Sequence, residues 1–255
     1  MYDKDLDEWW TISNTDPHWF DSAEPIWVTA GRQAKKTGSF AWIGSNVEID
    51  GYRPDEWVPY KDNTDYIAAI DTVLHWFTEF DLDVVTLYID QPDISGHDFG
   101  PAPDSEETVL KIEECDAILG YLIAELETQS LIEVINVIAV SDHGMTTCAI
   151  PEQTVNVYDY VPRGDIQVVA DEGATVNILP TEGRTEAVYD MLQGAHPSFN
   201  VYYKEDVPER LHYSNSQLIH DIVVIADESW LMISVRMIIF ISFAKGLVTK
   251  WCHCE

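Results

Sequence analysis

Two short clusters in the sequence each combine a carboxylate with an imidazole. Asp93 and His97 lie four positions apart, and Asp142 and His143 are adjacent. Carboxylate and imidazole together form a donor set suited to zinc when no thiolate takes part. Two divalent ions about 3.5–4 Å apart can stabilise the attacking and the leaving oxygen of a phosphoryl displacement. These residue types therefore predict a two-metal hydrolytic site.

Each cluster follows a predicted β-strand. Residues 84–89 are rich in β-forming side chains, and residues 134–140 form a nearly continuous apolar run typical of a central parallel strand. Between them, apolar residues from Val109 to Leu126 recur at helical spacing, which predicts a long helix beginning at Asp104 or Ser105. A right-handed crossover would bring both strand ends to one sheet edge, where the ligands of open α/β sheets gather.

A single Asp-His pair after a strand has a simpler interpretation, because such residues commonly cap a helix or close a turn. Two clusters at strand ends, joined by one helix, favour metal binding over that interpretation. Gly96 and Gly144 would allow tight backbone bends beside the ligands. Other histidines lack such neighbours, and we expect them to be surface or hydrogen-bonded residues: His18, His75, His196, His212 and His220.

The chain is strongly acidic, with a formal net charge of −31 at pH 7. Such a charge repels nucleic-acid backbones and anionic membranes, so we expect no nucleic-acid partner. A small anionic substrate would require bound cations that reverse the field locally. The sequence also lacks the Gly-x-Ser-x-Gly elbow, the phosphate-binding Gly-rich loop and the dinucleotide fingerprint, which argues against those mechanisms.

The two ends of the chain carry weaker signals. Cys252-His253-Cys254 resembles a fragment of a metal motif, but it has no second ligand pair and is predicted to be a frayed tail. The acidic N-terminus shows no signal peptide, and the apolar run 230–244 is shorter than the about 20 residues of a membrane span. Nothing in the sequence indicates the oligomeric state.

The two clusters lie in longer motifs that resemble a known family. Residues 88–97, Tyr-Ile-Asp-Gln-Pro-Asp-Ile-Ser-Gly-His, and residues 141–145, Ser-Asp-His-Gly-Met, closely resemble the metal motifs of ectonucleotide pyrophosphatase/phosphodiesterases. Further similar stretches are 25–30, 42–47, 207–213 and 224–230. These type I phosphodiesterases belong to the alkaline-phosphatase-like superfamily, and the chain looks most like the compact members, without Cys-rich or nuclease-like domains.

The resemblance implies a fold and a domain division. We expect an α/β fold of the alkaline-phosphatase-like type, with a mostly parallel sheet flanked by helices and a small α+β subdomain. The partial catalytic domain would cover residues 1–230, and residues 231–255 would form a tail unlike the family. After residue 165, short β-rich stretches and a helical stretch near 184–192 in the sequence predict the small α+β subdomain, at 165–228. Because relatives work outside the cell, the resemblance implies an extracellular or cell-surface location.

The resemblance also implies roles for individual residues. Asp93 and His97 match ligands of one zinc ion, and Asp142 and His143 match ligands of a second. Three aromatic residues match positions that bind a nucleotide: Tyr60, whose ring would stack on the base, and Trp42 and Tyr88, which would line the pocket. Ordinary core packing is the alternative for these aromatics, above all for Trp42.

The family chemistry would be zinc-dependent hydrolysis of a nucleotide-type phosphodiester or pyrophosphate, through attack by an activated Thr. That Thr, an Asp ligand and an Asn all precede the family position that Met1–Asp3 matches, and a later His ligand has no counterpart in residues 231–255. We therefore expect this chain, as given, to be inactive. Smaller departures are Ile43, where the family usually has Pro, and Asn46, where it often has Asp.

Two alternatives stay open beside the enzyme. The chain could be a non-catalytic binding or interaction protein that keeps the fold and a residual metal site. It could also be a sulfatase or another hydrolase of the superfamily, but Tyr60 and the stretches around the motifs match the nucleotide branch better.

Overall fold

The computed structural model describes residues 1–11 and 13–234, and the backbone of residues 252–254. The helices are α1 (Ile26–Arg32), α2 (Tyr66–Glu79), α3 (Asp93–Phe99), α4 (Glu106–Thr128) and α5 (Thr185–Leu192). The strands are β1 (Tyr2–Asp3), β2 (Glu8–Trp9), β3 (Thr37–Phe40), β4 (Glu56–Val58), β5 (Val84–Leu87), β6 (Gly144–Thr146), β7 (Thr154–Asn156), β8 (Ile166–Ala170), β9 (Thr175–Pro180), β10 (Phe199–Tyr203), β11 (Ile222–Ala226), β12 (Leu231–Ile233) and β13 (Cys252–Cys254).

The chain divides into two compact units, each built from separate stretches of sequence. The first unit consists of Met1–Trp10, Asp93–Val109 and Val140–Glu255. The second unit consists of Thr11–Pro92 and Leu110–Ala139. The predicted metal-binding residues all belong to the first unit, and the predicted nucleotide-binding aromatics all belong to the second.

A parallel sheet of three strands, in the order β4-β3-β5, forms the centre of the second unit. Helix α2 packs against it, and Asp65 begins this helix by accepting a hydrogen bond from the Ala68 amide at 3.1 Å. A β-carbon on Gly38 of β3 would lie 2.8 Å from both Trp76 and Leu82. The absence of a side chain at Gly38 therefore lets the helix lie close to the central strand.

The predicted long helix is confirmed as α4, which spans Glu106–Thr128. Its apolar face lies in the second unit, where Ile118 and Leu126 are buried together with Ile70 and Leu74 of α2. The three- and four-residue spacing places these side chains on one stripe of the helix. Burial of that stripe explains why the pattern could be read from the sequence.

The second predicted strand is wrong. Residues 134–140 form no strand with any described part of the chain, and the Val134 and Ile138 side chains are 70% and 83% exposed. Apolar composition indicates that a segment suits a buried environment, but a parallel strand exists only where a neighbour completes its hydrogen-bond ladder. Most apolar side chains of the run are instead exposed to solvent, whereas Ile135 packs against the buried cluster of α2 and α4.

An antiparallel sheet in the order β10-β11-β9-β8 forms the main core of the first unit. Its strands and helix α5 occupy the segments where the sequence predicts short strands and a helix after residue 165. Val176, Ile178, Val188, Leu192 and Ile222 are fully buried between the sheet and the helix. The boundaries of the predicted subdomain, 165–228, stay a prediction.

Three short strand pairs complete the first unit: β1 with β2, β7 with β12, and β6 with β13. Strand β12 pairs in parallel with β7, so residues 231–233 of the predicted tail are part of this unit. The backbone of β13 pairs antiparallel with β6, which makes the prediction of a frayed end at Cys252–Cys254 wrong. Most of the apolar run 230–244 lies outside the described residues. Within the described part, no helix has the length and apolar character that crossing a membrane requires.

The exposed run 134–140 predicts a solubility defect. Because unpaired, apolar, extended segments promote association between chains, Ile138→Lys should raise the soluble yield and reduce aggregation. The matched control is Ile26→Lys, since Ile26 is 58% exposed but lies singly on α1. Light scattering and soluble expression measure both variants. Equal improvement by the two variants would contradict a specific contribution of the run.

A buried histidine in the first unit is neither a surface residue nor a hydrogen-bonded one, contrary to the sequence prediction. His220 is 1% exposed, and neither ring nitrogen has a hydrogen-bond partner in the described part of the chain. Its ring contacts Tyr2 edge-on, with 6.0 Å between centroids. Burial lowers the pKa of His220, while nearby Asp171 and Asp221 oppose that shift.

A lowered pKa in the folded state makes stability fall as pH decreases. Above the ordinary pKa of about 6.5 both states hold His220 neutral, whereas below it only the unfolded state gains the proton readily. We expect the free energy of unfolding to fall more steeply below pH 6.5 in the wild type than in His220→Leu. Denaturant titration over pH 5–8 measures the free energy of unfolding of both proteins. His212→Asn, at an exposed position, should follow the wild-type profile.

Candidate functional site

The four side chains predicted to bind metal converge within the first unit. Asp93 Oδ1 lies 3.3 Å from His97 Nε2 and 3.9 Å from His143 Nε2. His143 Nε2 also lies 3.7 Å from Asp142 Oδ2. Asp142 follows His97 by 45 positions in the sequence. The two clusters therefore meet at one place although they are distant in sequence.

Helix α3 positions the first cluster. Asp93 is its first residue, and His97 follows one turn later on the same face, so the two side chains face each other along the helix. Ser95 and Gly96 between them are buried, whereas Asp93 and His97 are each about one-third exposed. The helix thus presents a carboxylate and an imidazole together at the surface of the unit.

A short turn before β6 positions the second cluster. His143 Nδ1 lies 2.9 Å from the Gly144 carbonyl oxygen. The carbonyl oxygen can only accept, so in this hydrogen bond Nδ1 carries the proton and donates it. The lone pair is then on Nε2, the nitrogen that faces Asp93 and Asp142. The Asp142 carboxylate accepts a hydrogen bond from the His143 amide at 3.1 Å, and the Asp142 side chain is 72% exposed. The turn therefore presents one imidazole nitrogen and one accessible carboxylate.

The spacing of these donor atoms matches that of metal ligands. Tetrahedral zinc with bonds of 2.0–2.2 Å separates its ligand atoms by about 3.4 Å, close to the distances between the carboxylate and imidazole atoms. In the part of the chain that the structure describes, however, no group of three or more His, Cys, Asp or Glu is preformed to hold an ion. Ligation would therefore require these side chains to move from their present positions.

The predicted nucleotide-binding aromatics have two different surroundings in the second unit, one for Tyr60 and Tyr88 and another for Trp42. The Tyr60 and Tyr88 rings meet edge-to-face with 6.1 Å between centroids, and Tyr60 is 37% exposed. Trp42 packs against the buried cluster of Trp27, Val28, Val47 and Ile49, which is the core packing weighed as its alternative. Their contribution to substrate binding stays a prediction.

A carboxylate without a predicted role, Asp90, holds part of this aromatic group in place. Asp90 is 7% exposed and accepts hydrogen bonds from the Tyr60 hydroxyl at 2.9 Å and from the Tyr66 hydroxyl. The Asp90 amide in turn donates to the Tyr66 hydroxyl at 3.3 Å. Burial first, and then the bond to Asp90, raises the pKa of both phenols. No periodicity connects positions 60, 66 and 90, so only the fold identifies this contact.

Comparison with solved structures gives the class of protein. The murine ectonucleotide pyrophosphatase/phosphodiesterase 5 matches with a TM-score of 0.84 and 32% identity, over 99% of this chain and 66% of that one. The fold is therefore the alkaline-phosphatase-like α/β fold, as predicted. A second structure of the murine protein, an inactive variant in complex with AMP, matches equally well.

Comparison of sequences gives the family. The profile of type I phosphodiesterase/nucleotide pyrophosphatase matches residues 1–237, and the chain belongs to this family. Human family member 7 is 39% identical over 220 residues, which are 82% of this chain and 47% of that protein. The Xenopus laevis bis(5'-adenosyl)-triphosphatase enpp4 is 32% identical over 234 residues, 91% of this chain and 51% of that protein. The chain thus spans about half the length of these curated relatives.

The Asp90 contacts predict a stability effect. Tyr66→Phe removes a hydrogen bond to a buried carboxylate, and should lower the free energy of unfolding by about 1.5–3 kcal/mol. Tyr121→Phe is the matched control, because its phenol donates to the exposed Asp71 at 2.7 Å, where water can replace it. Urea titration at pH 7 measures both variants. Equal losses of stability in the two variants would show that the contact with buried Asp90 stabilises the fold no more than the exposed contact with Asp71.

Proposed function

We propose that this protein hydrolyses phosphodiester or pyrophosphate bonds of nucleotide-type substrates with the help of bound zinc. The observation that carries the proposal is the meeting of Asp93, His97, Asp142 and His143 at one place in the first unit. The names of the relatives point the same way, since one is called a bis(5'-adenosyl)-triphosphatase and a related structure holds AMP.

Electrostatics supports the need for cations at this site. The chain has a net charge of −31, and the convergent side chains contribute two carboxylates but no fixed positive charge. A phosphodiester is itself anionic, so these residues alone would repel it. Bound divalent ions would reverse the local field, activate the attacking group and stabilise the leaving oxygen.

Each side chain has a defined task in the proposal. Asp93 and His97 would hold one ion, and Asp142 and His143 a second, with the Nδ1–H of His143 fixing the orientation of its ring. By family resemblance, Tyr60 would stack on the base, and Trp42 and Tyr88 would line the pocket. We propose an extracellular or cell-surface location on the same ground.

None of the stretches matched to the family contains its nucleophilic Thr, so we propose that residues 1–255 alone turn over substrate slowly or not at all. A transition-state interaction lost with a nucleophile commonly removes several orders of magnitude in rate. Metal-dependent binding of a nucleotide, rather than turnover, is therefore the first property to measure. Zinc and nucleotide binding with little or no hydrolysis is the outcome that we expect for residues 1–255.

The metal site is tested by a matched pair of substitutions on one helix. Asp93→Asn removes the shared carboxylate charge, and we expect it to weaken zinc binding by more than about 10-fold. Asp98→Asn, at an exposed position of the same helix, should leave zinc binding unchanged. Isothermal titration with zinc, followed by AMP with and without chelator, measures both steps.

Two outcomes of this experiment would contradict the proposal. If the wild-type chain bound no zinc, the metal site would be lost as an explanation. If AMP binding were insensitive to chelator and to Asp93→Asn, nucleotide recognition would not depend on the metal. A nitrophenyl ester of a nucleotide then reports whether any turnover accompanies binding.

A further inference from the structure

The contact between Gly96 and Met145 joins the two halves of the candidate metal site. A β-carbon built on Gly96 would overlap Met145 Sδ and would lie 3.0 Å from Met145 Cε. Gly96 belongs to α3, between Asp93 and His97, and Met145 follows the Asp142-His143 pair by two positions. The thioether therefore occupies the space that any larger residue at position 96 would take.

Helix α3 places this contact next to one of the ligands. Residue 96 is three positions after Asp93, so the two lie on neighbouring parts of the helix surface, whereas His97 is about 100° further around the helix. Met145 is on β6, immediately after the turn that presents His143. The end of the Met145 side chain thus lies between α3 and the strand that follows that turn.

We propose that Gly96 and Met145 are positioning residues that set the separation of the two carboxylate–imidazole pairs, and thereby the affinity of the metal site. The inference rests on the proposed metal-dependent function. A β-carbon at position 96 would displace the Sδ and Cε atoms of Met145. We expect the displaced side chain to shift the turn that carries His143, whose Nε2 is now 3.9 Å from Asp93 Oδ1. Metal affinity falls steeply when ligand atoms leave the bonding distance of the ion.

The test is a set of substitutions read by metal binding. Gly96→Ala should weaken zinc binding by about 10–100-fold, the usual cost of disturbing groups that orient metal ligands. Gly120→Ala is the matched control, because Gly120 also lies in a helix but has nothing within 4 Å of a built β-carbon. Competition with a chromogenic chelator gives zinc affinities for the wild type and both variants.

A second substitution separates positioning from a general loss of folding. In the Gly96→Ala background, Met145→Ala removes the group that the new methyl displaces, and should restore most of the lost affinity. The visible spectrum of Co²⁺-loaded protein should change in Gly96→Ala and return toward that of the wild type in the double variant. Thermal unfolding in chelator should differ little among the folded variants.

The outcomes discriminate between the two proposals. Absence of metal binding by the wild-type chain overturns both the proposed function and this inference. Wild-type affinity in Gly96→Ala overturns the inference alone, and so does a loss of affinity that Met145→Ala fails to restore. If Gly96→Ala does not fold, Met145→Leu in the wild type gives the answer: a changed Co²⁺ spectrum supports the inference, and an unchanged one overturns it.

Discussion

The Asp93 carboxylate is the point on which the candidate site depends. It lies within 4 Å of two imidazoles, 3.3 Å from His97 on its own helix and 3.9 Å from His143 on the turn before β6. One oxygen atom thereby connects two segments that are distant in sequence. In a chain with a net charge of −31, such a carboxylate suits a divalent cation better than an anionic substrate.

The first unit supplies the framework that holds this carboxylate. The antiparallel sheet β10-β11-β9-β8 and helix α5 bury a continuous apolar core, and the short strand pair β7-β12 adds Val155 and Met232 to it. Rigid elements of this kind keep ligand side chains close to their required positions. Within the second unit, the Asp90 carboxylate orients the Tyr60 and Tyr66 phenols by accepting a hydrogen bond from each.

The sequence predicted strongly periodic features and failed where the outcome depended on a partner. Helix α4 was predicted because its buried stripe repeats at helical spacing. Residues 134–140 were wrongly predicted as a central strand, since an apolar run does not specify which strand will pair with it. His220 was expected to be exposed or hydrogen-bonded, yet it is buried with neither nitrogen bonded in the described residues.

By itself, the sequence determined the family, the long helix α4 and the two carboxylate–imidazole pairs, because these depend on residue type and local spacing. It did not predict the short helix α3 that carries Asp93 and His97. Tertiary structure alone decided that both pairs meet, that Asp90 joins two phenols, and that Met145 fills the space left by Gly96. Contacts between residues distant in sequence follow from how elements pack, and packing leaves no periodic trace in a single sequence.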